Sequence, residues 1–291
     1  MSSNNQWKTK ILRAGAFRLD GGSMFGLIPK GIWSQWTTPD DHNRIQLQCN
    51  LVLLNDGEHQ VLVEVGYGEK WSPKDRSIFA MERRTAVDAL HEVGVAPDSI
   101  THVILTHLHF DHAGALTRWQ DQEAGDAGGF VATFPNAQIM TQAQEWQDAL
   151  ANRSTMSRTY LKSHLEPIAD RVEVLSGTGE PLPGIQVHPV PGHTWGQQAV
   201  SWSDSDRNYV FPGDLCPTRA HVHPAANMAY DVEPWTNMGE KNTLLRSCVE
   251  QQRSIILDHD PETPLVDVIE SAEHPGRFEL HTANTDDSEL L

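Results

Sequence analysis

Cysteine is scarce. Cys49, Cys216 and Cys248 are the only three in 291 residues, an odd number without CxxC spacing. They read as small buried hydrophobes rather than a disulfide framework. Cys216 stands apart because it lies two residues past Asp214. Positive charge is also short, with 22 Lys and Arg against 39 Asp and Glu and a formal net charge of −17. Such a balance repels phosphate backbones and anionic lipid headgroups, so neither nucleic acid nor a membrane is an expected partner. No apolar run approaches the roughly 18 residues that cross a bilayer. Residues 1–10 are polar and no apolar segment follows them, so no secretion signal is read and a cytoplasmic, reduced setting is expected. Gly-x-Ser-x-Gly is missing, and no cysteine sits in a nucleophile signature, so covalent catalysis is not suggested. Apolar residues at 38% and charged ones at 21% are ordinary for a globular chain, and the length allows one or two domains.

Histidine, by contrast, is concentrated. Thr106-His107-Leu108-His109-Phe110-Asp111-His112 follows the apolar run Val103-Ile104-Leu105. Potential metal ligands crowd together where a buried strand runs out. Side chains two apart share a face of a strand, so His107 and His109 aim the same way. Asp111 and His112, on the turn that follows, face a second position close by. Imidazole suits zinc and iron, and a neighbouring carboxylate widens the choice to harder ions. A solvated His-rich loop is the bland alternative, and the further ligands downstream argue against it. These are His193 in Pro191-Gly192-His193-Thr194, Asp214 after Tyr209-Val210-Phe211-Pro212-Gly213, and His259 after Ile255-Ile256-Leu257-Asp258.

In order and rough spacing this set resembles the signature of the metallo-β-lactamase superfamily of hydrolases, over about residues 45–260. The resemblance implies an α/β fold, an αββα sandwich of two packed mixed sheets with helices outside. It implies His107, His109 and His193 on one metal and Asp111, His112 and His259 on the other, with Asp214 bridging. The expected cofactors are two divalent transition metal ions, zinc first, with iron, manganese or cobalt as alternatives. Two cations about 3.5–4 Å apart call for a shared anionic ligand, and a metal-bridging hydroxide is the nucleophile such a pair supplies near neutral pH. Asp111 is the expected proton-handling residue. The acidic charge argues against the nuclease branches.

The segment Gly213-Asp214-Leu215-Cys216-Pro217-Thr218 and the glycine-rich stretch 21–29 look like the lactonase and organophosphate-hydrolase branch, near quorum-quenching acyl-homoserine lactonases. Opening of lactones is the activity implied. Phosphotriester, aryl-ester or thioester hydrolysis by the same fold is the alternative. A metal-binding sensor without hydrolysis is the reading from another class, and the complete ligand set argues against it. Two departures stand out. Known lactonases place a substrate-contacting Tyr where this chain has Pro217, and Tyr230, His221 or His223 are the candidates to replace it. Relatives commonly carry Asp where Glu64 stands. Met24 and Phe25, with Trp33 and Trp36, are candidates for an apolar substrate wall. The expected partner is a small-molecule substrate, and a homodimer is left open.

Strands are expected over residues 11–19, 49–55, 59–65, 172–175, 185–190, 198–202, 208–211 and 254–257. Asp56-Gly57 between the second and third is a strong hairpin signal. Helices are expected over 78–93, around 143–150 and 160–165 within 138–174, and over 240–252. Residues 120–129 read as a mobile loop, and His91 and His164 as surface residues. A hairpin followed by a glycine turn occurs in each half, which is what two matching β–α halves of one domain spanning 1–291 would leave. Residues 1–10 and 282–291 are expected to be loose.

Overall fold

Apolar runs become the inner strands. In the computed structural model, which describes residues 7–205 and 207–283, β1 (Lys8–Asp20) leads through α1 (Gly21–Phe25) and α2 (Lys30–Trp33) into β2 (Arg44–Asn55). The run from Cys49 to Leu54 is buried on both faces of β2. A hairpin then delivers β3 (Gln60–Val63), with Asp56 Oδ1 accepting the backbone N–H groups of Glu58 and His59. After α3 (Pro73–Ile78) and α4 (Ala86–Glu92) comes β4 (His102–Ile104). Next follow α5 (Phe110–Ala113), a small ribbon of β5 (Thr117–Trp119) with β6 (Phe130–Ala132), β7 (Gln138–Gln142), α6 (Ala143–Leu150), α7 (Lys162–Leu165) and β8 (Val172–Leu175). These strands form a six-stranded sheet in the order β1-β2-β3-β4-β7-β8, and β3, β4, β7 and β8 are parallel. The central parallel strands β3 and β4 are covered on both sides, so Val61-Leu62-Val63 and Val103-Ile104 are continuously apolar, whereas β8 at the edge stays partly exposed.

The second half repeats the plan. It contains β9 (Gly179–Leu182), β10 (Ile185–Pro189), β11 (Gln198–Ser203), β12 (Asn208–Phe211), α8 (Pro234–Gln251), β13 (Arg253–Ile256), β14 (Leu265–Glu270) and β15 (Phe278–Thr282). They make a seven-stranded sheet in the order β15-β14-β13-β12-β11-β10-β9. In each half a hairpin is followed by a parallel neighbour: β2 and β3 then β4, β11 and β12 then β13.

Between the sheets lies one apolar layer. Val52, Leu54, Val61, Val63 and Ile104 of the first sheet meet Val187, Val200, Trp202, Phe211 and Ile256 of the second. Each such side chain, fully buried, contributes about 1.5–3 kcal/mol of transfer free energy. The outer face of the first sheet packs on a cluster that includes Ala86, Ala89 and Leu90 of α4. The outer face of the second packs on Leu244, Leu245 and Cys248 of α8. The result is the expected αββα sandwich. No helix among the described residues is long and apolar enough to cross a membrane.

Several sequence expectations need correction. Residues 7–10 are not loose: Trp7 is buried, its Nε1 donates to Pro183 O at 3.0 Å, and β1 starts at Lys8. Residues 1–6, Asp206, and the acidic end with Asp286, Asp287 and Glu289 lie outside the described residues. Of the helix expected over 78–93, only 86–92 forms a helix of its own, because α3 ends at Ile78. Ala80 turns left-handed at φ 45°, and Thr85 and Asp88 form a capping box that starts α4 afresh. Residues 138–142, ahead of the helix expected around 143–150, are the strand β7, because Ile139 and Met140 pair with Val103 and Ile104 inside the sheet. Residues 21–25 are a helical turn rather than loop, capped by Asp20 accepting Ser23 N–H at 2.8 Å. His164 is buried edge-on against Trp71, not solvated. Strands β9, β14 and β15 were not anticipated. All three cysteines are buried, and burial pushes the Cys216 thiol up to about 12.

Candidate metal centre

The parallel strands end together, and the ligand residues stand where they end. Thr106 to His109 leave the end of β4, His193 follows β10, Gly213-Asp214 follows β12, and Asp258-His259 follows β13. Asp111 and His112 sit on the short helix α5. Gly213 is left-handed at φ 57°, and a Cβ there would come within 2.6 Å of Thr106 Oγ1, so the turn carrying Asp214 can press on the metal run only as glycine.

The sheets are tied across this edge by polar bonds. Gln198 N donates to Thr106 O at 2.9 Å, and its Nε2 donates to Leu105 O at 2.9 Å. From β2, Asn50 Nδ2 donates to both Leu257 O and Asp260 O at 2.8 Å. These buried amides fix the ends of β4 and β13 relative to each other, which sets the spacing of the ligands they carry.

Two groups of donors result. The donor atoms of His107, His109, His193 and Asp214 lie within 4.8 Å of one another, as do those of His112, Asp214, Asp258 and His259. Asp214 is common to both: its Oδ2 is 3.0 Å from His193 Nε2 and its Oδ1 is 3.3 Å from His259 Nε2. Asp111 reaches the second group, with Oδ2 3.6 Å from His259 Nε2 and Oδ1 3.9 Å from His112 Nε2. The ring nitrogens of His193 and His109 approach to 2.9 Å, and those of His259 and His112 to 3.2 Å.

Three of the rings are held from behind. His193 Nδ1 is 2.8 Å from Asp231 Oδ1, His112 Nδ1 is 3.1 Å from Glu64 Oε2, and His259 Nδ1 is 3.0 Å from Gln48 O. This is the outer support that fixes ring orientation in metal sites. Glu145 on α6 accepts from Leu108 N at 2.9 Å, Tyr160 Oη at 2.9 Å and Thr194 Oγ1 at 2.6 Å. One buried carboxylate thus joins the His107–His109 run to the His193 turn. Glu145 and Asp231 escaped the sequence reading, since each is a lone acid in an unremarkable helix or loop.

The donor set fits metal ions on its own chemistry. His107 Nε2, His109 Nε2 and Asp214 Oδ1 are buried and lack a hydrogen-bond partner among the described residues. Buried polar atoms are rarely left so, and these converge. Burial, reinforced by neighbouring histidines, holds His107 and His109 well below the usual imidazole range, which leaves lone pairs for a cation. Burial would raise Asp214, but His193, His259 and His112 around it hold it well below the usual carboxylate range. The fold therefore has two His/Asp metal-binding sites sharing one carboxylate.

Over the site opens a cavity of about 270 Å³. His109, Asp111, His193, Asp214 and His259 form its floor, and Met24, Met228, Tyr230, Leu19, Trp71, Phe79 and Phe110 its walls. Ile78 and Met156, both about half exposed, line its outer part, where Arg158 pairs with Asp75 at 3.3 Å. Of the expected substrate contacts, Met24 and Tyr230 line the cavity. Phe25 does not: it is stacked between Trp33 and His221, at ring distances of 5.4 and 4.8 Å. His221 is buried, its ring nitrogens 2.7 Å from Thr218 Oγ1 and 2.9 Å from Met24 O, so it shapes the wall from behind. His223 and Trp36 line a separate surface groove.

An αββα sandwich with two histidine–carboxylate sites at one edge defines a class of metal-dependent hydrolase folds. The sequence profile of the metallo-beta-lactamase superfamily matches residues 44–247, and the chain belongs to that superfamily. An N-acyl homoserine lactonase of Bacillus thuringiensis is 31% identical over 119 residues, covering 41% of this chain and 39% of that protein. The chain therefore spans well under half the length of that relative. A probable metal-dependent hydrolase from Staphylococcus aureus superposes with a TM-score of 0.84 at 27% identity, over 96% of this chain and 99% of that one. A dizinc quorum-quenching lactonase in complex with a product, N-hexanoyl-L-homoserine, superposes with a TM-score of 0.76, over 97% and 96% of the two chains. At 19% identity, that likeness concerns the fold.

Proposed function

We propose that this protein is a dinuclear metal-dependent hydrolase that opens lactones of the acyl-homoserine-lactone kind. His107, His109 and His193 would hold one ion and Asp111, His112 and His259 the other, with Asp214 shared. Zinc is the first choice of metal. Such ions, when bound, supply Lewis acidity and a water acidic enough to ionise near neutral pH.

One observation carries the reading: the donor atoms floor a small cavity whose walls are apolar. Met24, Met228, Trp71, Phe79 and Phe110 suit an acyl chain or aromatic group. The carboxylate of a β-lactam would need a free cation, and the lining Arg158 is already paired with Asp75. Asp111 is the one carboxylate on the floor besides Asp214, placed to give a proton to a leaving oxygen. In a lactone that oxygen stays tethered to the acyl product, so the proton has little distance to travel. Burial pushes the Tyr230 phenol up, keeping it a protonated donor toward a substrate carbonyl. The similarity to a protein named N-acyl homoserine lactonase supports the same choice. Each metal position draws donors from both halves of the sandwich, which favours one domain as the working unit. The three free cysteines are in keeping with a reducing compartment such as the cytoplasm.

The test is kcat/KM for a medium-chain lactone, a phosphotriester, a glutathione thioester and a penicillin, with metal analysis of the same sample. The lactone should lead, with the phosphotriester second. A thioester or penicillin value about tenfold above the lactone overturns the choice of substrate.

A further inference from the structure

Asp258 precedes His259 at the end of β13, and its side chain is buried. Both carboxylate oxygens lack a hydrogen-bond partner among the described residues. Among charged groups, His259 Nε2 approaches it, 4.0 Å from Oδ2. The backbone around it is fixed: Asn50 N donates to Asp258 O at 2.8 Å, while the Asn50 side chain holds Leu257 O and Asp260 O. The side chain is therefore presented by a clamped loop. Its oxygen lies within 4.8 Å of the donor atoms of His112, Asp214 and His259.

A buried carboxylate without partners is costly, whichever form it takes. An ionised one needs a cation, and a protonated one needs an acceptor for its hydrogen. Neither oxygen has such an acceptor, whereas the neighbouring donors converge on a metal position. We propose that Asp258 is a further protein ligand of the second metal position, one not expected from the sequence. This rests on the dinuclear reading above. The two positions are then unlike. The first has three imidazoles and Asp214. The second has two imidazoles with Asp111, Asp214 and Asp258, a harder and more crowded set suited to higher coordination.

Cobalt(II) separates these cases, because its visible absorption is intense in four-coordinate sites and weak in six-coordinate ones. Chelator-treated protein is titrated with cobalt, and bound metal per chain is measured in parallel. The wild type should take two equivalents, one with an intense band and one with a weak band. Asp258→Asn should lose the weak-band equivalent or bind it more than about 100-fold less tightly, beyond the usual effect of an outer-sphere change. The intense-band equivalent should persist and shows that the chain remains folded. Asp258→Ala, which removes both oxygens, should behave alike. Variants that bind both equivalents with wild-type affinity and bands overturn the proposal. A wild type that takes fewer than two equivalents overturns the dinuclear reading itself, a distinct result.

Discussion

Glu64 Oε2 lies 3.1 Å from His112 Nδ1 while Glu64 Oε1 accepts the Thr106 N–H at 2.6 Å, so one carboxylate clasps both ends of the metal-binding run. Its backbone is left-handed, φ 67°, a conformation costing on the order of 1–3 kcal/mol for a non-glycine residue. The Glu64 side chain thus supports the loop from a strained turn. Glu64→Ala should weaken metal binding by about 10–100-fold. Glu64→Asp, too short to make both contacts from this backbone, should fall between. Competition against a chelator of known affinity measures both, and an Ala variant with wild-type affinity would refute the supporting role.

Glu145 offers a stability test at the same site. Its carboxylate, pushed up by burial, satisfies three donors from three segments. Gly196 packs so closely that a Cβ there would come within 2.2 Å of Glu145 N, so little room exists for rearrangement. Removing the acceptor leaves buried donors unmet at about 1–3 kcal/mol each. Glu145→Ala should therefore lower the unfolding free energy by more than about 2 kcal/mol in denaturant titrations. A loss under about 0.5 kcal/mol would show that the segments are held together by other contacts.

The candidate ligand residues stood out in the sequence because His107, His109, Asp111 and His112 are crowded into one short run, and because His193, Asp214 and His259 each follow an apolar strand. The hairpins were legible from Asp56-Gly57 and from the apolar runs beside it. What was not legible depends on long-range contact. Glu145, Asp231 and Asn50 carry no local signal and gain meaning only when distant strands bring them behind the ligands. Phe25 looks exposed beside four glycines within residues 15–26, yet it stacks on Trp33 and on His221, almost two hundred residues away. Residues 138–142 are too short and mixed a run to stand out, and their pairing with β4 makes them a strand.

Asp214 belongs to both groups of candidate donors, 3.0 Å from His193 and 3.3 Å from His259. Asp214→Ala should leave two close cations without their shared anion. Elemental analysis should then fall from about two metal ions per chain toward one or none, and kcat should fall with it. Full metal and full rate in that variant would remove Asp214 from the shared role.

Asp111 separates binding from chemistry. It stands on the cavity floor, 3.6 Å from His259 Nε2, and its backbone carbonyl is anchored by the Cys49 thiol, whose Sγ lies 3.6 Å from it. Asp111→Asn keeps the shape and one ligating oxygen, so much of the metal should remain. The amide cannot accept a proton and return it, so a step worth about 10²–10⁴-fold by general acid–base catalysis should be lost from kcat. KM should change far less, because the walls built by Met24, Trp71, Phe79, Phe110, Met228 and Tyr230 are untouched. Substrates with different leaving groups sharpen the test. A lactone or aryl ester whose leaving oxygen is already a weak base needs little protonation and should be spared most of the loss. An alkyl lactone should suffer it in full. If Asp111→Asn lowers kcat equally for both kinds of substrate while metal content stays at wild-type level, Asp111 positions the substrate or metal and carries no proton.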